Sequence, residues 1–321
     1  MSGATIDRSS VLAEAQGAGE PEREGRLRRD LRRHLFAYAL IAPALVLLAL
    51  LIAYPLVDAV YLSLNRSSFI NPEPTFVGLD NYRAVLQTST FQRVFLNSLV
   101  WTLFVVVFQF VVGIGTALLL GQRFAGRGVL RALVIIPWVM PGIIGGILWK
   151  LMYEPYLGLV NHALLSAGII GQVVPWLARP DTVMAAVIFA AIWKGAPFSI
   201  LMYTAAYQNV SQDLVEAARI DGANAWQRFV SVTLPEMTPT IRTTILLTTV
   251  WTFNYFDLIY ITTRGGPGIA SHIFPTYIYD LAFVKVEYGL AATYGIISVL
   301  ILIVFSTLYV RELNKAEVFE A

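Results

Sequence analysis

The residues best placed to act on another molecule lie between Ser211 and Pro235. Glu216, Ala217 and Ala218 are followed by Gly222 and, beyond a nine-residue gap, by Val232, Leu234 and Pro235. Ser211 stands where it can N-cap a short helix, with Asp213 and Glu216 in the early turns where the helix dipole favours acids. Gly222 can end that helix in a left-handed conformation. The two alanines leave one face nearly free of side-chain bulk, so a partner could approach the backbone closely. A second short helix, expected from about Ala225 to Val232, stops before Pro235. The chemistry of such a segment is recognition, not bond-making.

Other chemistry-bearing residues are sparse. Lys194 and Asp257 fall inside apolar runs, where a lone charge costs about 2.5 to 3.5 kcal/mol on insertion scales, so each is expected to contact the other or to line a pathway. Cysteine is absent, and His34, His162 and His272 lack metal-ligand spacing, so no metal site is expected. None of the lysines, Lys150, Lys194, Lys285 and Lys315, follows a glycine as a Walker A loop requires. Gly-x-Ser-x-Gly and His-Glu-x-x-His are also missing, and Asn254 with Asp257 is not a catalytic constellation. No cofactor is expected on this chain. A net charge of +2 carried by scattered arginines gives no basic groove for nucleic acid.

The elements that must position these residues are membrane helices. Hydrophobic residues make up 57% of the chain and charged residues 14%, with mean hydropathy +0.65, more apolar surface than one soluble core can hide. Residues 1–34 lack apolar periodicity and read as a mostly disordered cytoplasmic tail with a basic juxtamembrane segment. Residues 35–321 form the membrane domain, its core about 94–310. Six runs reach the length that crosses about 30 Å of hydrocarbon: 35–61, 94–120, 129–153, 182–207, 241–263 and 289–310. Gly142 and Gly146 form a small-xxx-small pair suited to close helix contact within the chain. Orientation follows from basic residues. Arg23, Arg26, Arg28, Arg29, Arg32, Arg33, Arg123, Arg127, Arg131, Arg219, Arg228, Arg242, Arg311 and Lys315 fall on one side, against Arg66, Arg83, Arg93, Arg179, Arg264 and Lys285 on the other. Both termini and the loop 211–239 are therefore expected inside, giving an all-α membrane protein with six transmembrane helices.

The spacing from Glu216 to Pro235 resembles the signature of the inner-membrane permease subunits of binding-protein-dependent ABC importers: Glu-Ala-Ala, three residues, Gly, nine residues, an aliphatic, one residue, Leu-Pro. Every position matches, which ordinary residue frequencies would produce on the order of once in a hundred thousand trials or fewer. The resemblance implies a type I importer transmembrane fold in which the first helix of the loop is a cytoplasmic coupling helix seated on a separate ATPase. Glu216 would face a basic partner group, with Ala217, Ala218, Gly222, Leu234 and Pro235 shaping the contact. It also implies two ATPase subunits that bind ATP and Mg, a second permease that makes a heterodimer, an extracytoplasmic solute-binding protein, and a bacterial cytoplasmic (inner) membrane.

Three further stretches, Val77 to Tyr82, Trp193 to Phe198 and Phe256 to Pro267, resemble the sugar branch that includes the maltose and glycerol-phosphate permeases, without the maltose permease's inserted outer domain. Laid over that branch, Gly195 and Phe198 on the fourth run and Trp251, Thr252 and Tyr255 on the fifth match sugar-contacting positions. Aromatic faces beside hydroxyls suit sugars, and the same residues would also serve as bundle packing. The function implied is half of the translocation pathway of an ATP-driven sugar importer. The alternatives are an ABC permease for a non-sugar solute and an ion-coupled secondary transporter, although the latter predicts an inverted repeat that the sequence does not display.

Overall fold

The computed structural model describes residues 38–70, 73–122 and 124–320, with side chains through residue 313. The tail expected at 1–34, Arg123 and the side chain of Lys315 lie outside these. The chain divides into two compact units, Met1–Asp58 and Ala59–Ala321. A long apolar helix, α1 (Tyr38–Ser63), begins in the first unit. Its turn Ala49–Ala53 is π-helical, with the Tyr54 N–H reaching back to the Ala49 carbonyl. Pro55 lies two residues beyond it, and a widened turn makes room for a proline's missing donor and bulky ring.

In the second unit, a two-stranded antiparallel ribbon, β1 (Asn65–Arg66) with β2 (Thr75–Phe76), precedes the short α2 (Asp80–Leu86). Then come α3 (Ser89–Gly121), α4 (Arg127–Val139), α5 (Gly142–Met152), α6 (Leu159–Ser166) and α7 (Val183–Gln208). The loop elements are α8 (Gln212–Ile220) and α9 (Ala225–Arg228), and α10 (Leu234–Phe253), α11 (Asp257–Thr263), α12 (Phe274–Tyr279) and α13 (Tyr288–Glu320) complete the order. Four helices, α1, α3, α7 and α13 through Leu313, are long and apolar enough to cross a membrane alone; the pair α4 and α5 makes a fifth if counted as one bent segment.

Two of the six runs differ from the continuous helices expected. The run 129–153 breaks at Met140–Pro141 with a bend of 99°. Pro141 disfavours helical geometry in the residue before it, and Met140 is accordingly extended at ψ 133°. The run 241–263 breaks at Asn254–Phe256, leaving α10 and α11. α10 is too rich in threonine to pass as an apolar span by composition. Its hydroxyls nevertheless turn back on the helix: Thr238 donates to Leu234, Thr244 to Thr240, Thr248 to Thr244 and Thr249 to Ile245, at 2.7–2.8 Å. That local bonding satisfies groups that would otherwise be costly in a low dielectric.

The most extensive helix contact pairs α3 with α7. At about 1.5 Å per residue α3 is long enough to cross a bilayer with turns to spare. Near its start, Asn97 Nδ2 donates to the carbonyls of Ile269, Ala270 and His272, tying the 264–273 segment to the bundle end opposite α8. The glycine pair is used within the chain. A Cβ on Gly142 would lie 2.6 Å from Asp257 Oδ2, and one on Gly146 2.8 Å from Ile261 Cβ, so α5 and α11 cross at near-backbone contact.

Candidate functional site

The first site is the loop after α7. Ser211 occupies the N-cap position of α8 in extended conformation, but its hydroxyl makes no capping bond. The C-terminal end is closed firmly. Gly222 adopts φ +84°, its N–H donates to Arg219 O (3.1 Å), and the Ala223 N–H donates to Ala218 O (3.0 Å). The Asp221 N–H donates to Ala217 O at 3.0 Å. The first two bonds make a Schellman closure that satisfies the Ala218 carbonyl of the motif, and the third completes the last helical turn on Ala217. Asn224 then forms a capping box with Gln227, fixing α9 (2.9 and 2.8 Å), and Arg228 Nη1 donates to Ala223 O (2.6 Å). Sequence reasoning missed this box, although Asn followed three residues later by Gln is its signature.

The second helix does not stop before Pro235 as expected. It passes through a π-helical turn, Phe229–Thr233, into α10, with the Leu234 N–H reaching Phe229 O. The device is the one seen before Pro55, and it makes the loop continuous with α10. Val215, Phe229 and Leu234 pack against Tyr203, Met237 and Ile241, so the loop is seated on the bundle. Glu216, Ala217, Gly222 and Pro235 are exposed, Ala218 and Leu234 partly so, and Ile220 is 85% exposed. Asp213, Glu216, Ala217 and Ile220 fall at helical spacing on one free face.

The second site is a cavity of about 230 Å³ among α3, α4, α5, α7, α10 and α11. The ligand-site candidates and both charges of the fourth and fifth runs converge here, Lys194, Gly195, Phe198, Trp251, Thr252, Tyr255 and Asp257, whereas Asn254 does not line the cavity. Trp251 meets Phe198 edge-on at 4.9 Å, and Trp101 stacks on Tyr255 at 6.2 Å. The Trp101 indole N–H donates to Thr252 O (2.8 Å), holding the broken end of α10 against α3. A Cβ on Gly195 would lie 2.1 Å from Gln109 Nε2, so glycine there lets that amide reach Ala191 O (3.3 Å). Trp101, Gln109 and Trp138 also line the cavity, and none was singled out in the sequence. Gln109, a polar residue deep in an apolar run, carried the one available signal.

The charges are divided across the Met140–Pro141 break. Lys194 Nζ donates to the Met140 carbonyl (2.7 Å), at the C-terminal end of α4, where carbonyls carry partial negative charge. Asp257 lies against Gly142 at the N-terminal end of α5, where free amides carry partial positive charge. Among the described residues the side-chain ion pairs are Asp80–Arg83, Arg179–Asp181 and Asp280–Lys285; none joins Lys194 to Asp257 within 4 Å. Both line the cavity, and each opposes one end of the broken helix. Together with the aromatic faces and Thr248 and Thr252, the arrangement offers stacking surfaces and a few fixed polar groups, the general pattern of a small-molecule pocket.

Comparison with known proteins gives a consistent picture. Residues 109–313 match the family model described as binding-protein-dependent transport system inner membrane component. The chain is 36% identical over 283 residues to the trehalose/maltose transport system permease protein MalF of Thermococcus litoralis, covering 87% of this chain and 94% of that one. It is 33% identical over 265 residues to the sulfoquinovosyl glycerol transport system permease protein SmoG of Agrobacterium fabrum, covering 82% and 85%. In fold it is similar to a chain of the crystal structure of a bacterial ABC transporter involved in the import of the acidic polysaccharide alginate. That likeness has TM-score 0.78 at 24% identity, over 90% of this chain and 99% of that one.

Proposed function

The chain belongs to the family of binding-protein-dependent transport system inner membrane components, and from that membership we propose that it forms half of the translocation pathway of an ATP-driven sugar importer. It is a non-catalytic membrane subunit with the type I importer permease fold. ATP and Mg belong to a separate pair of ATPase subunits, which the 211–239 loop engages through Glu216, Ala217, Ala218, Gly222, Leu234 and Pro235. A second permease completes a heterodimer, and an extracytoplasmic binding protein delivers the solute. The sugar class is supported by the cavity chemistry and by the trehalose/maltose and sulfoquinovosyl glycerol systems in the names of two relatives. Gly195, Phe198, Trp251, Thr252 and Tyr255 contact the sugar. With the broken runs 129–153 and 241–263 each counted once, the chain makes six membrane crossings with both termini and α8 inside, a reading that the arginine distribution supports.

The observation that carries the coupling role is α8 itself. It is seated on the bundle by Val215, closed by Gly222, and leaves Glu216, Ala217 and Ile220 free. Closure of the ATPases, felt at that face, would shift the two permease halves between inward- and outward-facing states. The test is reconstitution with the neighbouring ATPase, permease and binding protein. ATP hydrolysis should rise with binding protein and sugar, and Glu216→Lys should abolish the rise without loss of membrane insertion. Full stimulation in that variant would sink the coupling role. Ion-driven uptake by the lone chain would sink the importer reading.

A further inference from the structure

A second cavity, mostly apolar with a few polar groups, lies at the α8 end of the bundle, apart from the first. It holds about 210 Å³ between the end of α3, the start of α4 and the end of α7, lined by Leu120, Arg131, Val134, Ile200, Thr204 and Gln208 among others. Two of its polar atoms are buried without a hydrogen-bond partner: Thr204 Oγ1, on a residue only 7% exposed, and Arg131 Nε. Such groups are rare in folded proteins because each forfeits its hydration. The guanidinium makes one long hydrogen bond, Nη2 to Leu120 O at 3.4 Å, so most of its donor capacity is unused. One turn earlier on the same face of α4, Arg127 reaches Gln122 O, also at 3.4 Å. The first turn of α4 contains no acid and its N-cap, Gly126, offers no side chain. Two cations therefore stand near a helix start whose own partial charge is positive, an arrangement that repels itself until an anion arrives.

We infer that this cavity binds a phosphate group, supplied by an anionic phospholipid of the adjacent leaflet. Arg131 and the Thr204 hydroxyl would donate to phosphate oxygens, which accept planar guanidinium forks well. Val134, Ile135, Ile200 and Leu201 make the remaining wall apolar, suited to an acyl chain and poorly suited to a small hydrated anion. Basic pockets between helices at a cytoplasmic face are where anionic headgroups collect. The site uses the membrane setting of the chain, and its binding readout needs neither sugar nor ATP hydrolysis.

The assembled transporter, stripped of lipid in a neutral detergent, should be titrated with phosphatidylglycerol, phosphatidylcholine and inorganic phosphate, read by native mass spectrometry and thermal denaturation. Phosphatidylglycerol should bind the wild type and raise its Tm by several degrees. Arg131→Gln and Thr204→Val should each weaken that binding about tenfold or more. Thr204→Val replaces an unpartnered hydroxyl by a methyl group, so the lipid-free variant should be at least as stable as the wild type, which separates lost binding from lost folding. An equal shift with inorganic phosphate, abolished by the same substitutions, keeps the site and assigns it to a soluble phosphate source. Undiminished phosphatidylglycerol binding in both variants overturns the inference, leaving Arg131 as a cap on the last carbonyls of α3.

Discussion

Replacing Gly222 tests how far transport depends on the closure of α8. At φ +84° the residue occupies the left-handed region, and a Cβ built there meets no atom within 4 Å. Any cost of substitution is therefore conformational, not steric. For an ordinary L-residue that cost is about 1–2 kcal/mol, less for asparagine, whose side chain bonds locally, and more for a β-branched residue. The alternative for the chain is to unwind the last turn, giving up the hydrogen bonds from Asp221, Gly222 and Ala223 to the carbonyls of Ala217, Arg219 and Ala218. Ala217 lies on the free face, so unwinding would disorder part of that face itself. A penalty of 1–2 kcal/mol changes the ratio of closed to frayed α8 by a factor of roughly 5 to 30. The expected order of binding-protein-stimulated ATPase activity in proteoliposomes is Gly, then Asn, then Ala, then Val. Membrane insertion and overall thermal stability should scarcely change, because α8 contributes little to the core. Equal coupling by Gly222→Val and Gly222→Asn would refute the reasoning, since it would mean that the left-handed closure is not felt by the partner.

Gly146→Ala should overpack the α5–α11 crossing and cost about 1–3 kcal/mol. Pairing it with Ile261→Ala should restore much of the lost Tm, because Ile261 is the atom group in the way. Gly195→Ala displaces the movable end of Gln109 and not a backbone, so sugar transport should fall while the melting temperature stays within a few degrees; equal loss of both would count against a ligand role for this cavity. Lys194→Met removes a hydrogen bond from a charged donor to Met140 O, worth about 1.5–3 kcal/mol, and should loosen the 129–153 bend, read as faster hydrogen exchange around Met140 to Gly145. His272, in the segment between α11 and α12, has its pKa lowered to about 4, mainly by burial, with Asp280 opposing the shift and Lys285 reinforcing it. Between about pH 6.5 and 4 the unfolded chain binds a proton that the folded chain refuses. Stability is therefore full above pH 6.5 and falls by up to about 3 kcal/mol as pH drops through that window. His272→Asn should flatten the pH dependence of the Tm between pH 6.5 and 4.5, and an unchanged slope would show that the ring is not the group responsible.

Much of the chain was legible because its signals are local. The position of α8 follows from a helix former, two small residues and a stop glycine at fixed offsets, and the structure adds that the Gly222 closure satisfies the carbonyl of Ala218 within the motif. Long apolar runs place α1, α3, α7 and α13 to within a few residues at most ends, since a bilayer requires a length and a composition and little else. The breaks were harder. Pro141 marks a possible bend, but a 99° turn rests on what receives the exposed ends, namely Lys194 at the α4 carbonyls and Asp257 beside Gly142, and those residues are distant in sequence. The π-helical passage through Pro235 was likewise invisible, because proline normally reads as a stop and only continuity with a packed α10 makes the wide turn preferable.

By itself, the sequence determined the class of solvent, the spaced motif of α8 and α10 and the residue types lining the helices, all properties of composition or short-range spacing. Tertiary structure decided which of those residues share a cavity. Gly195 and Phe198 on α7 meet Trp251, Thr252 and Tyr255, which lie more than fifty residues further along the chain, and Trp101, Gln109 and Trp138 join them from α3 and α4. Helix periodicity tells which face of a helix is apolar, but not which neighbour it will find, nor where the Thr204 hydroxyl and the Arg131 Nε will be left without a hydrogen bond. Those are consequences of packing, in which the best contacts for most residues leave a few polar groups to be satisfied by something other than the chain.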